Sequence, residues 1–252
     1  MFKLLFKITI EIGMKKLPIK RKIKKWILGY DVHTYYFAQG GEDAILRSIF
    51  QKKISKKEKG FFVDVGAYHP YNFSNTFLFY QSGRSGINID ACPGSMDLFN
   101  RIRPRDTNLE IGIGEKEQVL NYYFVDKNST INSFSRRFLE KNELFHLVTK
   151  TIPVKVYRLE DVLDKYVPPS KRIDFINIDV EGIDLEVLKS NNWEKYHPTV
   201  LVIELEGEYW EDLISHPTAI FLRKKGYKII AKNVLKKGLS STFFIEENFK
   251  DY

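Results

Sequence analysis

An α/β domain on a mainly parallel sheet is the fold class predicted by this sequence of 252 residues, and three observations predict it. Short apolar runs alternate with amphipathic stretches from Gly60 onward, the pattern of strands joined by crossover helices. The first run ends in a glycine turn, Asp64-Val65-Gly66. Acidic residues recur at the ends of later runs, where an open parallel sheet binds its ligands. An apolar share of 43%, with 14% aromatic residues, supplies a sizeable core and excludes intrinsic disorder for most of the chain. The length fits one large domain, residues 36–252, with a basic amphipathic extension over residues 1–35.

Phe61 to Gly66 reads as a buried strand ending in a turn, and Asn75 to Gln81 as the helix after it. Ser85 to Asp90 is the second strand, Ser95 to Arg103 the next helix and Asn108 to Ile113 the third strand. Gln118 to Val125 and Ile152 to Leu159 are additional strands. The polar stretch Asn128 to Lys150 between them is an excursion over the active face. Asp174 to Asp179 is the fourth core strand, followed by a helix over Leu185 to Asn191, and Thr199 to Glu204 is the fifth. A helix over Pro217 to Lys225 leads to strands over Tyr227 to Ala231 and Ser241 to Ile245. Lys236-Lys237-Gly238 joins these two as a hairpin.

The net charge of +8 belongs to the extension. Residues 1–30 hold nine Lys or Arg against one acid, Glu11, while the other 222 residues balance 31 bases with 31 acids. A body without basic excess has no phosphate-binding face, so nucleic acid is not an expected partner. In the extension, apolar residues such as Phe2, Leu5, Ile8, Trp26 and Leu28 interleave with the lysines, and Pro18 divides the segment into two short pieces. Two readings stand. One is an interfacial segment whose lysines meet anionic lipid. The other is a helical piece packed on the domain or on a second subunit, its lysines solvated. Charged residues interrupt the segment too often for a secretory signal. The longest uncharged stretch, Val65 to Gly83, contains Pro70, Asn72, Asn75 and Gln81 and is no bilayer span. The single cysteine, Cys92, permits no intrachain disulfide and no multi-thiolate zinc site, and after a strand it reads as a packing residue. The expected location is therefore cytoplasmic, with at most a peripheral contact at the inner face of a membrane.

Ligand chemistry is expected where the strands end. Gly66 has no side chain and lets the backbone come close to a ligand. Neither a three-glycine dinucleotide fingerprint nor a Walker loop accompanies it, which removes nicotinamide and nucleoside-triphosphate readings. Asp90 ends the second strand 24 residues after Gly66, near the spacing at which an acid accepts hydrogen bonds from a ribose. With the glycine turn it points to an adenosine-bearing cofactor. The fourth strand ends in Asp179 and Glu181, the fifth in Glu204, Glu206 and Glu208. Residues two apart on a strand share a face, so each strand offers a carboxylate pair to the cleft. Crowded carboxylates raise one another's pKa and suit a general base, a cation site or a metal site. Otherwise they cap helices or pair with Arg172 and Lys189.

Three motifs, Phe61-Phe62-Val63-Asp64-Val65-Gly66-Ala67, Gly86-Ile87-Asn88-Ile89-Asp90-Ala91-Cys92-Pro93 and Asp174-Phe175-Ile176-Asn177-Ile178-Asp179-Val180-Glu181-Gly182, together resemble the FkbM-type S-adenosylmethionine-dependent methyltransferases. Gln39-Gly40-Gly41-Glu42-Asp43 looks like the family's opening segment, and the likeness runs from about Tyr36 to Ile245. Asp179-Val180-Glu181-Gly182 is its most specific element. The resemblance implies a Rossmann-like class I methyltransferase fold, with seven mainly parallel strands and the last antiparallel. It implies S-adenosylmethionine as methyl donor and a hydroxyl of a sugar or other small molecule as acceptor, in polysaccharide or natural-product pathways.

The cofactor is then expected against Asp64, Gly66, Ala67, Asp90, Ala91, Glu110 and Asp179. Asp64 and Gly66 hold the methionine end, Asp90 the ribose, and Glu110 lies near the adenine. Asp179 is the first candidate for the base or for orienting the acceptor, with Glu181 supporting it. His69 is the second candidate, because its ordinary pKa lies near neutrality; otherwise it is a solvated loop residue. No metal is required, although Asp179, Glu181 and Glu204 are the oxygen ligands a magnesium-type ion would use. Gln39, Glu42 and Asp43 fold back over the cleft or cap the helix beginning near Ala44. The rival to an enzyme is a non-catalytic scaffold of the same fold at a membrane surface. The full set of cleft carboxylates stands against it, since a scaffold needs none. The Asn/Asp-Pro-Pro-Tyr element of base-amine methylases is missing.

Overall fold

A computed structural model describes residues 35–236 and 238–250 of the chain. The basic extension, with the helical character and the membrane or packing role expected of it, lies outside the described residues. Helices α1 (Glu42–Ile49) and α2 (Gln51–Ser55) precede the sheet. Strands β1 (Phe61–Val65), β2 (Ser85–Asp90) and β3 (Thr107–Glu110) alternate with α3 (Phe77–Gln81) and α4 (Met96–Ile102). An insertion follows, made of β4 (Gly112–Ile113), β5 (Gln118–Phe124), α5 (Arg136–Lys141), a 3-10 turn (Phe145–Leu147) and β6 (Lys150–Tyr157). Then come α6 (Leu159–Tyr166), β7 (Phe175–Ile178), α7 (Asp184–Lys189) and β8 (Val200–Glu206). Helices α8 (Trp210–Ser215) and α9 (Pro217–Lys224) lead to the expected hairpin of β9 (Tyr227–Lys236) and β10 (Leu239–Glu246).

The main sheet has the order β3-β2-β1-β7-β8-β10-β9. The first five strands pair in parallel, and β10 runs antiparallel to both β8 and β9. This is the expected fold, a mainly parallel seven-stranded sheet whose last strand is antiparallel. Among the described residues, no helix is long and apolar enough to cross a membrane.

Period-two alternation sorts the side chains of each strand onto two faces. Val63, Val65, Ile87, Ile89, Ile176, Ile178, Leu201 and Ile203 pack with Leu159 and Leu163 of α6, Val187 of α7 and Leu222 of α9. On the other face, Phe62, Phe175, Val200, Val202 and Phe243 meet Leu46 and Ile49 of α1 and Phe79 of α3. Each large buried side chain contributes about 1.5–3 kcal/mol relative to exposure. The apolar character of this second face stops short of the carboxyl ends. Asn88, Asp64 and Asn177 stand level across β2, β1 and β7, and Glu204 lies two residues beyond the next partner on β8. A buried face that turns polar at one end of a parallel sheet is where a site has to be.

Two strand assignments change. Asn108 to Ile113 is not one strand: β3 stops at Glu110, and Gly112-Ile113 enters a second sheet of order β4-β6-β5. Gly112 permits this crossing, because a Cβ there would lie 2.7 Å from Phe134 Cζ and 2.8 Å from Val156 Cγ2. The strand expected to run to Leu159 ends at Tyr157, and α6 begins instead. Leu159, Val162 and Leu163 recur at helical spacing and bury one face. Helix α8 is an element the strand-and-helix reading does not contain. Asp212 caps it, accepting from the N–H groups of Glu208 and Tyr209 at 3.0 and 2.9 Å.

Candidate active site

β1 ends in a turn where Gly66 takes φ +87°. The N–H groups of Gly66 and Ala67 both donate to the Ile89 carbonyl at 2.9 Å, tying the turn to β2 beside Asp90. On the opposite side the Asp179 N–H donates to Val65 O at 2.9 Å, and a Cβ on Gly66 would lie 1.8 Å from Asp179 O. Glycine is therefore demanded twice, by the backbone angle and by the close approach of the chain after β7. The turn, Asp90 and Asp179 open on one cavity of about 790 Å³, within the range of about 300–1,000 Å³ usual for small-ligand sites. Asp64, Ala67, His69, Ala91, Glu181 and Glu204 also line it. The polar excursion closes one side with Asn132, Phe138 and Lys141, and the β9–β10 hairpin another with Leu235 and Lys236.

Both carboxylate oxygens of Asp64 are engaged inside the protein. Oδ1 accepts from Asn177 Nδ2 and Oδ2 from the Thr76 hydroxyl, each at 2.9 Å. Burial pushes its pKa up, while the nearby Arg103 charge pulls it down. Asp90 accepts from the Cys92 N–H through Oδ1 at 2.7 Å, and burial is the main cause pushing it up to about 7. Cys92 is buried and its thiol is pushed up to about 11, as befits a packing residue. Glu110 is not brought to the others. It is exposed, does not line the cavity, and accepts from the Gly94 N–H at 2.8 Å. His69 lines the cavity, but its Nδ1 accepts the N–H groups of Asn72 and Tyr71 at 3.0 and 3.3 Å, and burial lowers its pKa. Gln39 reaches the cavity wall, whereas Glu42 and Asp43, in the first turn of α1, do not cap it but tie down the preceding segment by accepting from the N–H groups of Gly40 and Phe37.

β7 stops at Ile178, so Asp179 and Glu181 stand in the turn beyond it and not on a strand face. Glu181 takes φ +53°, and its carbonyl accepts from Ser133 Oγ at 2.7 Å. Asp179, Glu181 and Glu204 each present a carboxylate oxygen within 4.8 Å of the others. None of the three has an ion-pair partner among the described residues. Burial is the largest cause raising each pKa; the charge of Asp64 adds to it at Asp179, and that of Asp179 at Glu181 and Glu204, where Lys236 opposes the rise. Glu206 instead pairs with Lys141, and Arg172 pairs with Glu246. Such a trio keeps a proton near neutrality and can act as a base, hold a cationic group, or bind a hard divalent ion through oxygen. Sequence reasoning misses Asn75, Asn177 and Lys236, which also line the cavity.

Unneutralised acids in a cavity wall work against the fold. The double variant Glu181→Gln/Glu204→Gln is expected to be more stable than wild type, by about 0.5–2 kcal/mol as for other relieved functional sites. The sign with pH follows from linkage: carboxyls raised in the folded state contribute stability at low pH that is lost as pH rises through their folded values. The wild-type melting temperature should therefore fall between pH 6 and 9 more steeply than that of the variant. Equal slopes in thermal denaturation would refute this account of the trio.

The antiparallel β10 inserted between β8 and β9, above a cavity at the carboxyl ends of β1, β2 and β7, is the arrangement of the class I methyltransferase fold. The FkbM methyltransferase domain matches residues 64–229, well over half the chain, and the chain belongs to that family. The methyltransferase sdnD of Sordaria araneosa is 38% identical over 85 residues, which cover 31% of this chain and 32% of that protein. The match thus spans about a third of that curated relative. Among solved structures, the METTL16 methyltransferase domain is similar with a TM-score of 0.45 and 12% identity, covering 82% of this chain and 66% of that one. The 1,6-didemethyltoxoflavin-N1-methyltransferase of Burkholderia thailandensis gives 0.42 and 11%, covering 90% and 86%. An O-methyltransferase of Bacillus cereus gives 0.38 and 12%, covering 96% and 98%.

Proposed function

We propose that the protein methylates a hydroxyl group of a small-molecule acceptor, a sugar or glycan precursor. The carboxylates Asp179, Glu181 and Glu204, sharing a cavity with the Gly66 turn, carry this reading. Bound S-adenosylmethionine supplies an activated methyl group. A hydroxyl is a poor nucleophile until a base takes its proton, a contribution of typically ~100- to 10,000-fold. Asp179 serves as that base. It borders the Gly66 turn through its own main chain, and burial raises its carboxyl toward neutrality. Glu181, protonated, orients the acceptor. His69 is disfavoured as base because its Nδ1 lone pair accepts two backbone N–H groups, which leaves the proton of the neutral ring on Nε2.

For the cofactor, the Gly66-Ala67 backbone takes the methionine end, with Asp64 bracing the turn from beneath. Asp90 and Ala91 take the ribose, and Asp179 borders the methionine end through its main chain at Gly66. Glu110 acts at the adenine side only through the Gly94 turn it holds. The domain runs from about residue 36.

Incubation with labelled methyl donor and a panel of sugar nucleotides and glycans tests the acceptor class. Label appearing on amines or RNA in place of hydroxyls would overturn it. Asp90→Ala is expected to weaken S-adenosylhomocysteine binding about 10- to 100-fold, the loss of a hydrogen bond to a charged group. Because ribose hydroxyls donate to the ionised form, wild-type affinity should rise with pH through about 7. Calorimetry at several pH values checks both, and unchanged affinity in Asp90→Ala removes that residue from the ribose. Chelation by EDTA should leave turnover intact. Loss of turnover restored by magnesium would assign the three carboxylates to a metal ion.

A further inference from the structure

One side chain outside the cavity holds the loop after the Gly66 turn at three points, Pro70, Ser74 and Thr76. Arg103, at the C-terminal end of α4, is 0% exposed. Its Nη1 donates to Thr76 Oγ1 at 2.9 Å and to Ser74 Oγ and the Pro70 carbonyl at 3.4 Å each. Nε and Nη2 face Asp106 Oδ2, both at 2.8 Å. The guanidinium plane lies over the rings of Phe62, Tyr80 and Phe99, at 5.3, 5.3 and 5.5 Å. Guanidinium only donates, so the Thr76 hydroxyl that accepts from it has its own proton free for Asp64, whose Oδ2 lies 2.9 Å away. Asp64 in turn accepts from Asn177, which accepts from Asn75 on the cavity wall. One buried cation thus faces two buried acids, Asp64 and Asp106, and fixes the direction of the hydroxyl between it and Asp64.

We infer that Arg103 is a positioning residue for the cofactor: through Thr76 and Asp64 it holds the loop from Pro70 to Thr76 in the shape that receives the methionine end. This rests on the cavity being the S-adenosylmethionine site. A flat, forked donor over aromatic faces is needed, and lysine, a point charge with a flexible stem, cannot replace it.

The test uses the full chain and S-adenosylhomocysteine as the probe. Arg103→Lys and Thr76→Val are each measured by calorimetry, by thermal melting and by amide hydrogen exchange over residues 70–77, with Thr76→Ser as the conservative control. The inference expects at least tenfold weaker binding and faster exchange in that loop for both Arg103→Lys and Thr76→Val, with Thr76→Ser close to wild type. A purely structural arginine would lower the melting temperature and leave affinity within twofold, and that result overturns the inference. Thr76→Val keeps the ion pair with Asp106, so it remains informative if Arg103→Lys fails to fold. Failure of the wild type to bind S-adenosylhomocysteine would instead strike the reading of the cavity, while unaltered loop exchange in both variants would still overturn the role of Arg103.

Discussion

Asp179→Asn is expected to lower turnover by about 100- to 10,000-fold, the range a general base contributes, while S-adenosylhomocysteine affinity stays within a few-fold of wild type. The split follows from how the residue is held. Its N–H donates to Val65 O and its carbonyl sits against Gly66, so the turn depends on the Asp179 backbone and not on its carboxylate. The side chain has no hydrogen-bond partner to lose among the described residues. Asparagine therefore preserves shape and removes only the proton acceptor. The pH profile supplies a second readout. In the wild type kcat/KM should climb as pH passes about 6, where Asp179 ionises, and that limb should vanish in the variant. Substantial activity in Asp179→Asn, with the limb intact, would dismiss it as the base and return His69 to candidacy.

Much of this site is legible in the sequence because a parallel sheet converts linear order into place. Apolar runs ending in Asp64-Val65-Gly66, Asp90 and Asp179 bring those residues to one rim of the sheet, and one cavity does receive Gly66, Asp90, Asp179 and Glu181. What strand spacing cannot convey is how a side chain is spent. Asp64 and Glu110 look alike as acids near strand ends. One is locked between Asn177 and Thr76, and the other turns outward to hold Gly94. Arg103 is the converse case, since nothing in its local sequence separates it from Arg101 or Arg105. Only the packing of α4 beneath the turn buries it. Non-local contacts decided these outcomes, just as the sheet-to-sheet crossing at Gly112 depended on Phe134 and Val156, far along the chain. The carboxylates of the fifth strand divide for a similar reason. Glu206 meets Lys141 from the excursion, while Glu204 one step inward stands among other acids with the Lys236 charge as partial offset.

Gly66→Ala should abolish detectable S-adenosylhomocysteine binding at millimolar ligand and lower the melting temperature by several degrees. Two separate costs act there. An L-residue in the left-handed region is disfavoured by roughly 1–2 kcal/mol, and Gly66 sits at φ +87°. The second cost is steric, because the new methyl would stand 1.8 Å from a backbone carbonyl, Asp179 O. A backbone atom cannot swing aside as a side chain does, so the chain after β7 must move away from the chain after β1. That movement pulls on the bonds from Asp179 N–H to Val65 O and from Ala67 N–H to Ile89 O, which together hold the cavity floor. Gly83 provides the control that separates the two costs. It has nearly the same angle, φ +90°, but a Cβ there meets nothing within 4 Å. Gly83→Ala should therefore show the conformational cost alone, a modest loss of stability with ligand affinity unchanged. The excess loss in Gly66→Ala measures the close approach of the two strand ends. Were both variants to bind S-adenosylhomocysteine like the wild type, the ligand would not lie against the Gly66 turn, and the arrangement of Asp90 and Asp179 around it would require another occupant.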